Sequence, residues 1–280
     1  VNQHARFNEY RHYIGKTLGT SKCIGIVCHY RATSEALVSL FADYKLERKI
    51  FNLSLPTINR TNNITQPVQA SHHRSKDRIL FTGSYHGNAN SIGQRGLESF
   101  TRVCTTLADT LNDLRLKPTL LLPYEIDSKF LNDTDFDIIY GFMSDNIYKH
   151  LLGEASFHFL PSPWVHTKTI LDCIHNDITP ICRLHSAYQE LGLNEGNTIC
   201  LGKKLDYNPL SFYSHEAVEI SIDLTKLGYE LKQFMERPIK SSGVIIHSSP
   251  SLKNNALSEL NKFILKSFER YSLLTVQRSI

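Results

Sequence analysis

Short apolar runs alternate along this chain with stretches whose apolar positions recur at helical spacing, the pattern of strands separated by helices. From Thr20 the order is a strand over Ile24 to His29, a helix over Thr33 to Tyr44 opened by Thr33 or Ser34, and a short strand over Lys49 to Leu55. Pro56 to Asp77 is rich in Thr, Asn, Gln, Ser and His and lacks apolar periodicity, so it reads as a linker or exposed loop and as the best domain boundary. Further strands are predicted at Arg78 to Gly83, Pro118 to Pro123, Asp137 to Gly141, Ser156 to Pro161, Ile178 to Arg183 and Asn197 to Leu201. Helices separate most of them, notably over Gly96 to Asp113 and Asn146 to Leu152. The tail adds helices at Leu224 to Glu236 and Leu252 to Tyr271 around a short strand at Val244 to His247. Strands alternating with helices predict a parallel sheet, and right-handed crossovers make it a doubly wound α/β layer.

The stretch from Asp137 to Arg183 holds the most informative positions. Its three strands end in Gly, Ser/Pro and Arg, and in an open parallel sheet ligands collect outside the carboxyl ends of the strands. The helix expected to begin near Thr167 carries Lys168 in its first turn, where the partial positive charge of the helix end disfavours a cation unless an anion joins it. Asp172 lies one turn on, on the same face, where a carboxylate can accept hydrogen bonds from ribose hydroxyls; a simple Lys168 to Asp172 surface pair accounts for the spacing equally well. Upstream, Thr82-Gly83-Ser84 ends a strand and precedes a helix near Ile92. Small residues there let backbone N–H groups approach a phosphate, although an ordinary strand-to-helix turn has the same composition and the glycine spacing matches neither a P-loop nor a dinucleotide fingerprint. Trp164, the single tryptophan, either stacks on a ligand or covers the end of the sheet.

Composition narrows the classes. The 280 residues allow one large domain or a medium domain with an appendage, and the net charge of +4 suits an anionic ligand or a membrane surface without demanding nucleic acid. The six cysteines are scattered without a C-x-x-C pair and read as reduced, buried thiols. The thirteen histidines show no metal-ligand spacing, and no G-x-S-x-G elbow anchors a hydrolase triad. No apolar stretch is long enough to span a bilayer and the first ten residues lack a signal core, so the expectation is a cytoplasmic protein.

The succession ILFTGSYHGNAN, IIYGFMSDNIYKHLLGEASFHFLPSP and HTKTILDCIHNDITPICR resembles the carboxyl-terminal, nucleotide-sugar-binding domain of GT-B type glycosyltransferases, with Gly141-Phe142-Met143-Ser144 and Leu160-Pro161-Ser162 the closest pieces. The likeness covers about residues 78 to 205, and Ile24 to Ile58 resembles the last unit of the family's amino-terminal domain. It implies a Rossmann-like, doubly wound parallel sheet with a short amino-terminal α/β segment and carboxyl-terminal helices. The division it suggests is a partial acceptor-side segment over 1–60, a linker over 61–77, the nucleotide-sugar domain over 78–240 and a strand and helix over 241–280 returning onto the amino-terminal segment.

Carried over, Gly141, Phe142 and Met143 would hold the base and Asp172 would replace the family's glutamate on the ribose. Lys168, Thr167, Gly83 and Ser84 would face the diphosphate, with Asn90 and Arg95 as further phosphate candidates. The implied donor is a nucleoside-diphosphate sugar, with no cofactor and no metal. The implied acceptor is a glycan, a lipid-linked molecule or a protein, with peripheral membrane contact and a role in polysaccharide biosynthesis. Lys168 would be the catalytic electrophile, and His86 and His166 the available bases. Two departures stand out. Trp164 occupies the place of the first of two family glutamates, and Asn176-Asp177 replaces the glycine expected before the strand at Pro180. With only about sixty residues ahead of the linker, a noncatalytic module that binds a nucleotide, a glycan or a partner is the competing expectation.

Overall fold

A computed structural model of the chain describes residues 3–53, 76–83, 96–123, 125, 135–141, 143–161, 166–202, 222–236 and 258–269. The chain divides into two compact units, one drawn from Val1–Pro67, Asp206–Glu216 and Ile245–Ile280, the other from Val68–Leu205 and Ala217–Val244.

The first unit contains α1 (Gln3–Gly19), β1 (Ile26–Cys28), α2 (Arg31–Leu40), two short 3-10 turns (Ala42–Tyr44 and Leu46–Lys49), β2 (Ile50–Asn52) and a helix over residues 258–269. Strands β1 and β2 pair in parallel through the α2 crossover. Phe41 and Leu46 are its buried centre, packed against Ile14, Leu18, Leu37 and Ile50. The Phe263 ring stacks on Phe51 at 4.8 Å. Lys49 Nζ donates to the carbonyls of Leu18 (2.9 Å) and Thr20 (2.6 Å), satisfying acceptors that the end of α1 leaves open. Helix α2 differs from expectation at both ends. It starts at Arg31 with Tyr30 in the capping position and no side-chain cap, while Ser34 Oγ donates to the Arg31 carbonyl instead. It stops at Leu40, where Phe41 turns into the core, and Lys45 then adopts a left-handed φ of 50°.

The second unit is a six-stranded, all-parallel sheet of β3 (Arg78–Thr82), β4 (Lys117–Leu122), β5 (Asp137–Tyr140), β6 (Ala155–Leu160), β7 (Thr179–Cys182) and β8 (Ile199–Cys200), in the order β5-β4-β3-β6-β7-β8. The order is Rossmann-like: the chain winds outward from β3 in one direction, then returns to β6 and winds outward in the other, so the switch point lies between β3 and β6. The helices α3 (Leu97–Thr106), α4 (Ala108–Asp113), α5 (Asp145–Glu154), α6 (Thr167–His175), α7 (Ser186–Glu190) and α8 (Leu224–Glu236) complete it.

Strand alternation divides the core between two faces. Ile79, Phe81, Leu120, Leu122, Phe157, Phe159, Ile181 and Ile199 face α3, α4 and α8, where Phe100, Val103, Leu111, Leu227 and Leu231 meet them. Leu80, Ala155 and Ile178 lie on the opposite face with Leu152 of α5 and Cys173 of α6. Leu160, Cys182 and Ile170 pack there with Tyr188 of α7. The single helix expected over Gly96 to Asp113 is two helices. It breaks at Leu107 just after Thr105, whose hydroxyl turns back to the Thr101 carbonyl at 2.9 Å. Cys104, Cys173 and Cys182 are buried free thiols whose pKa values burial pushes up, as inert core cysteines require. The strand expected at Val244 to His247 lies outside the described residues.

Candidate functional site

The carboxyl edge of the sheet at the β3/β6 switch point is the place where ligand chemistry is expected. Strand β3 ends at Thr82, just before Gly83, β6 ends at Leu160, just before Pro161, and the two strands are paired neighbours. Gly96, at the start of α3, sits directly against Pro161: a side chain there would overlap the proline ring, and its φ of 89° is one that glycine takes without strain. The return of the chain into α3 is thereby seated on the end of β6.

Gly83 contributes compactness and no free donor. Its N–H is spent on the Leu121 carbonyl at 2.8 Å, and a Cβ would meet Leu122 Cδ2 at 2.8 Å. The expectation that the Gly83 amide faces a phosphate is corrected accordingly: it extends the sheet by one more hydrogen bond. Ser84, His86, Asn90 and Arg95, expected to continue that turn, lie outside the described residues, as do Phe142 and Trp164.

Helix α6 follows β6 and presents its amino terminus at this edge. Its first turn holds no acidic residue, and no side chain caps it. His166 occupies the capping position, and its N–H donates to Tyr188 Oη at 3.0 Å. Tyr188 is fully buried and stacks on His185 at 4.0 Å, so α7 fixes where α6 begins. Burial lowers the pKa of His185 to about 4. Thr167 and Lys168 open the helix.

Lys168 Nζ pairs with Asp172 Oδ2 at 3.1 Å across one turn, the simple alternative that the spacing allowed. The lysine side chain is 63% exposed and the carboxylate 25% exposed, and such an i,i+4 pair contributes about 0.3–0.5 kcal/mol. A third residue joins them. Tyr148, in the first turns of α5, donates its hydroxyl to the same Asp172 Oδ2 at 3.1 Å, and the Lys168 ammonium lies 4.7 Å from the centre of its ring.

Gly141 and Met143 reach this cluster indirectly. Gly141 closes β5 with its N–H on the Leu122 carbonyl (2.9 Å) and a φ of 89°, with open space where a Cβ would stand. Along the sheet, β4 and β3 separate β5 from β6, a span of about 14 Å. The chain beyond Met143 crosses this gap. Ser144 Oγ caps α5 by accepting from the Ile147 N–H, and Tyr148 then touches Asp172. The structure therefore gathers His166, Thr167, Lys168 and Asp172 on one helix, and α5 links them to the Gly141 turn.

Beneath the switch point, Thr82 Oγ1 and His158 Nε2 are hydrogen-bonded at 2.9 Å across β3 and β6. His158 is wholly buried, and its Nδ1 has no hydrogen-bond partner among the described residues. Burial, with a smaller contribution from His166, lowers its pKa to about 3, so this imidazole is neutral at physiological pH. Asp177, which replaces an expected glycine, adopts a left-handed φ of 52° just past α6. Lys76 Nζ holds the carbonyls of Asn176 (2.6 Å) and Asp177 (2.7 Å), so the turn is made without glycine.

Tyr148, Tyr188 and His158 were not singled out from the sequence. The aromatic residue in a G-x-x-S-x-x-x-Y run is the one signal that could have flagged Tyr148, since it falls one helical turn beyond the Ser144 cap. Among the described residues, no group of three or more His, Cys, Asp or Glu side chains is arranged to hold a metal ion, and no helix is long and apolar enough to cross a membrane.

No protein-family model and no curated protein matches this sequence. Among solved structures the chain is similar to S. aureus TarM, determined as a point mutant in complex with fondaparinux, alpha-GlcNAc-glycerol and UDP, with a TM-score of 0.48 and 11% identity over 86% of this chain and 44% of that one. It is also similar to the accessory secretory proteins 1, 2 and 3 of Streptococcus pneumoniae, with a TM-score of 0.42 and 14% identity over 88% of this chain and 44% of that one. The chain thus spans less than half the length of either structure that it resembles.

Proposed function

We propose that the second unit binds a nucleoside-diphosphate sugar at the carboxyl edge of its sheet, as the donor-binding portion of a metal-independent GT-B type glycosyltransferase. The observation that carries the reading is the placement of the α6 amino terminus, bearing Lys168 and Asp172 and lacking any acidic residue in its first turn, beside the β3/β6 switch point. In this reading the α6 amides and Lys168 receive the diphosphate, Asp172 receives the ribose hydroxyls, and the turn at Gly141 to Met143 receives the base.

Transfer would form a bond from an acceptor oxygen to the anomeric carbon and break the bond from that carbon to the diphosphate. A base, His166 or His86, takes the acceptor proton, and Lys168 stabilises the negative charge that develops on the departing diphosphate. Removing Lys168 from Asp172 costs little, since an exposed i,i+4 pair is weak. The acceptor is a glycan, a lipid-linked molecule or a protein.

The presence of Trp164 where an acid is expected favours a second reading, a noncatalytic module that binds the same nucleotide or a glycan. One experiment separates them: incubation with UDP-, GDP-, CMP- and dTDP-sugars while following both thermal stabilisation and nucleotide release. Stabilisation with release supports the transferase, and stabilisation without release, even with acceptors present, supports the module. Absence of stabilisation by every nucleotide sinks the donor site, and nucleotide affinity that survives Lys168→Ala and Asp172→Ala unchanged rejects its placement at α6.

A further inference from the structure

We infer that Tyr148 is a positioning residue of the proposed nucleotide site, holding the Asp172 carboxylate in place for the ribose while Lys168 leaves that carboxylate for the diphosphate. The inference rests on the nucleotide reading above and adds a residue that the reading does not contain.

Tyr148 Oη and Lys168 Nζ both bind Asp172 Oδ2, each at 3.1 Å, and no hydrogen bond to Oδ1 is found among the described residues. One carboxylate oxygen therefore carries two protein donors while the other is left for hydroxyl donors from a ligand. The two donors differ in mobility. Lys168 is a flexible, 63% exposed side chain on the same helix as its acceptor, so it can turn toward the amino terminus of α6 when an anion arrives there. Tyr148 is a stiff side chain that reaches Asp172 from α5, twenty-four residues away in sequence, and is bound to that position by the fold. When the lysine departs, a carboxylate held by Lys168 alone would be free to rotate. With Tyr148 in place it keeps one charge-assisted hydrogen bond and its orientation.

The ring has a second part in the exchange. The Lys168 ammonium rests 4.7 Å from its centre, so the aromatic face keeps the cation close to the helix end in the absence of an anion. Because α5 begins at the Ser144 cap, only a few residues past Gly141, Tyr148 also ties the turn proposed for the base to the helix proposed for the phosphates.

Titration calorimetry with UDP and GDP, each beside a counterpart lacking both ribose hydroxyls, tests the role in the wild-type chain and in Tyr148→Phe, Asp172→Ala, Lys168→Ala and the Tyr148→Phe/Asp172→Ala double variant. Phenylalanine keeps the ring and its packing and deletes only the hydroxyl, and a thermal melt of each variant verifies the fold. Tyr148→Phe is expected to weaken the ribonucleotide about tenfold, to leave the counterpart without hydroxyls unchanged, and to add nothing once Asp172 is alanine. Equal weakening of both ligands, or a further loss in the Asp172→Ala background, would assign Tyr148 a general structural role and overturn the inference. Unchanged affinity in Tyr148→Phe, with Lys168→Ala and Asp172→Ala both impaired, overturns the inference and leaves the nucleotide reading standing. No binding of either nucleotide by the wild-type chain removes both.

Discussion

Replacing Gly96 by alanine probes the contact between the start of α3 and the end of β6, because two separate costs meet at that residue. Its φ of 89° lies in the region where an L side chain is strained, at about 1–2 kcal/mol. The new methyl group would also overlap Pro161 Cγ and stand 3.2 Å from Pro161 Cβ, and an overpacked contact costs about 1–3 kcal/mol. Together they give a loss of about 3 kcal/mol. Gly141 provides the control, since it has the same φ of 89° but nothing within 4 Å of a Cβ, so Gly141→Ala carries the backbone cost alone. The only tryptophan, Trp164, belongs to the second unit, so urea unfolding followed by its fluorescence reports on the unit that holds both glycines.

The expected difference between the two variants is about 2 kcal/mol, or roughly 4–8 °C in Tm for a unit of this size. Pro161→Ala added to Gly96→Ala should recover much of that difference by removing the obstructing ring. Equal losses in the two glycine variants would refute the packing of Gly96 on Pro161. Negligible losses in both would refute the left-handed conformations.

Arg78→Met should cost about 2 kcal/mol in urea unfolding, somewhat below the value for a fully buried pair, because the guanidinium that joins Asp137, Glu154 and Thr119 is 19% exposed; Arg78→Lys should not restore the loss, since an ammonium cannot serve all three. Asp177→Val should cost about 2 kcal/mol and Asp177→Gly less than about 0.5 kcal/mol, because a β-branched residue tolerates the left-handed turn worst and glycine best; a melt in which valine equals glycine would contradict the observed φ. Burial lowers the His158 pKa to about 3 from the usual 6.5, so below about pH 6.5 the unfolded chain binds a proton that the folded one refuses, and stability falls by about 1.4 kcal/mol per pH unit as pH drops toward 3. His158→Gln, which can still bond to Thr82, should make that fall shallower, and Tm against pH curves that stay parallel would reject a buried neutral imidazole.

The parallel sheet was legible because its strands are short apolar runs set at regular distances by helical stretches; LLL in β4 and FHFL in β6 can hardly be anything else between polar segments. Helix α1 was missed. Its apolar residues are sparse, Gly15 interrupts them, and the contacts that hold it come from Phe41, Tyr44 and Lys49, which lie far along the chain. The Lys168 to Asp172 relation could be read because four residues span one helical turn. The G-x-x-S-x-x-x-Y run marks Tyr148 but not what it touches, since Tyr148 meets the pair only through the crossover from β5 to β6. Asp177 was visible as a departure from a glycine pattern, but that an aspartate adopts the required φ while Lys76 holds its carbonyl is tertiary information.

In the proposed reading, the two edges of the six-stranded sheet divide stability from binding. At the amino edge, Arg78 ties β3 to Asp137 of β5, Glu154 at the end of α5 and Thr119 of β4, while Lys76 fastens the end of α6 and Ser156 Oγ donates to the Lys76 carbonyl at 2.5 Å. At the carboxyl edge Gly83, Gly141 and Pro161 follow the strand ends, and Lys168 and Asp172 form a weak, partly exposed pair. A sheet anchored at one edge can leave backbone donors and a mobile lysine at the other without losing its register. The division predicts opposite responses at constant temperature: Arg78→Met lowers stability and leaves nucleotide affinity of the folded protein intact, whereas Tyr148→Phe leaves stability nearly intact and lowers affinity. If Arg78→Met weakened nucleotide binding as much as Tyr148→Phe, the two edges would be mechanically coupled, and the assignment of binding to the carboxyl edge alone would fail.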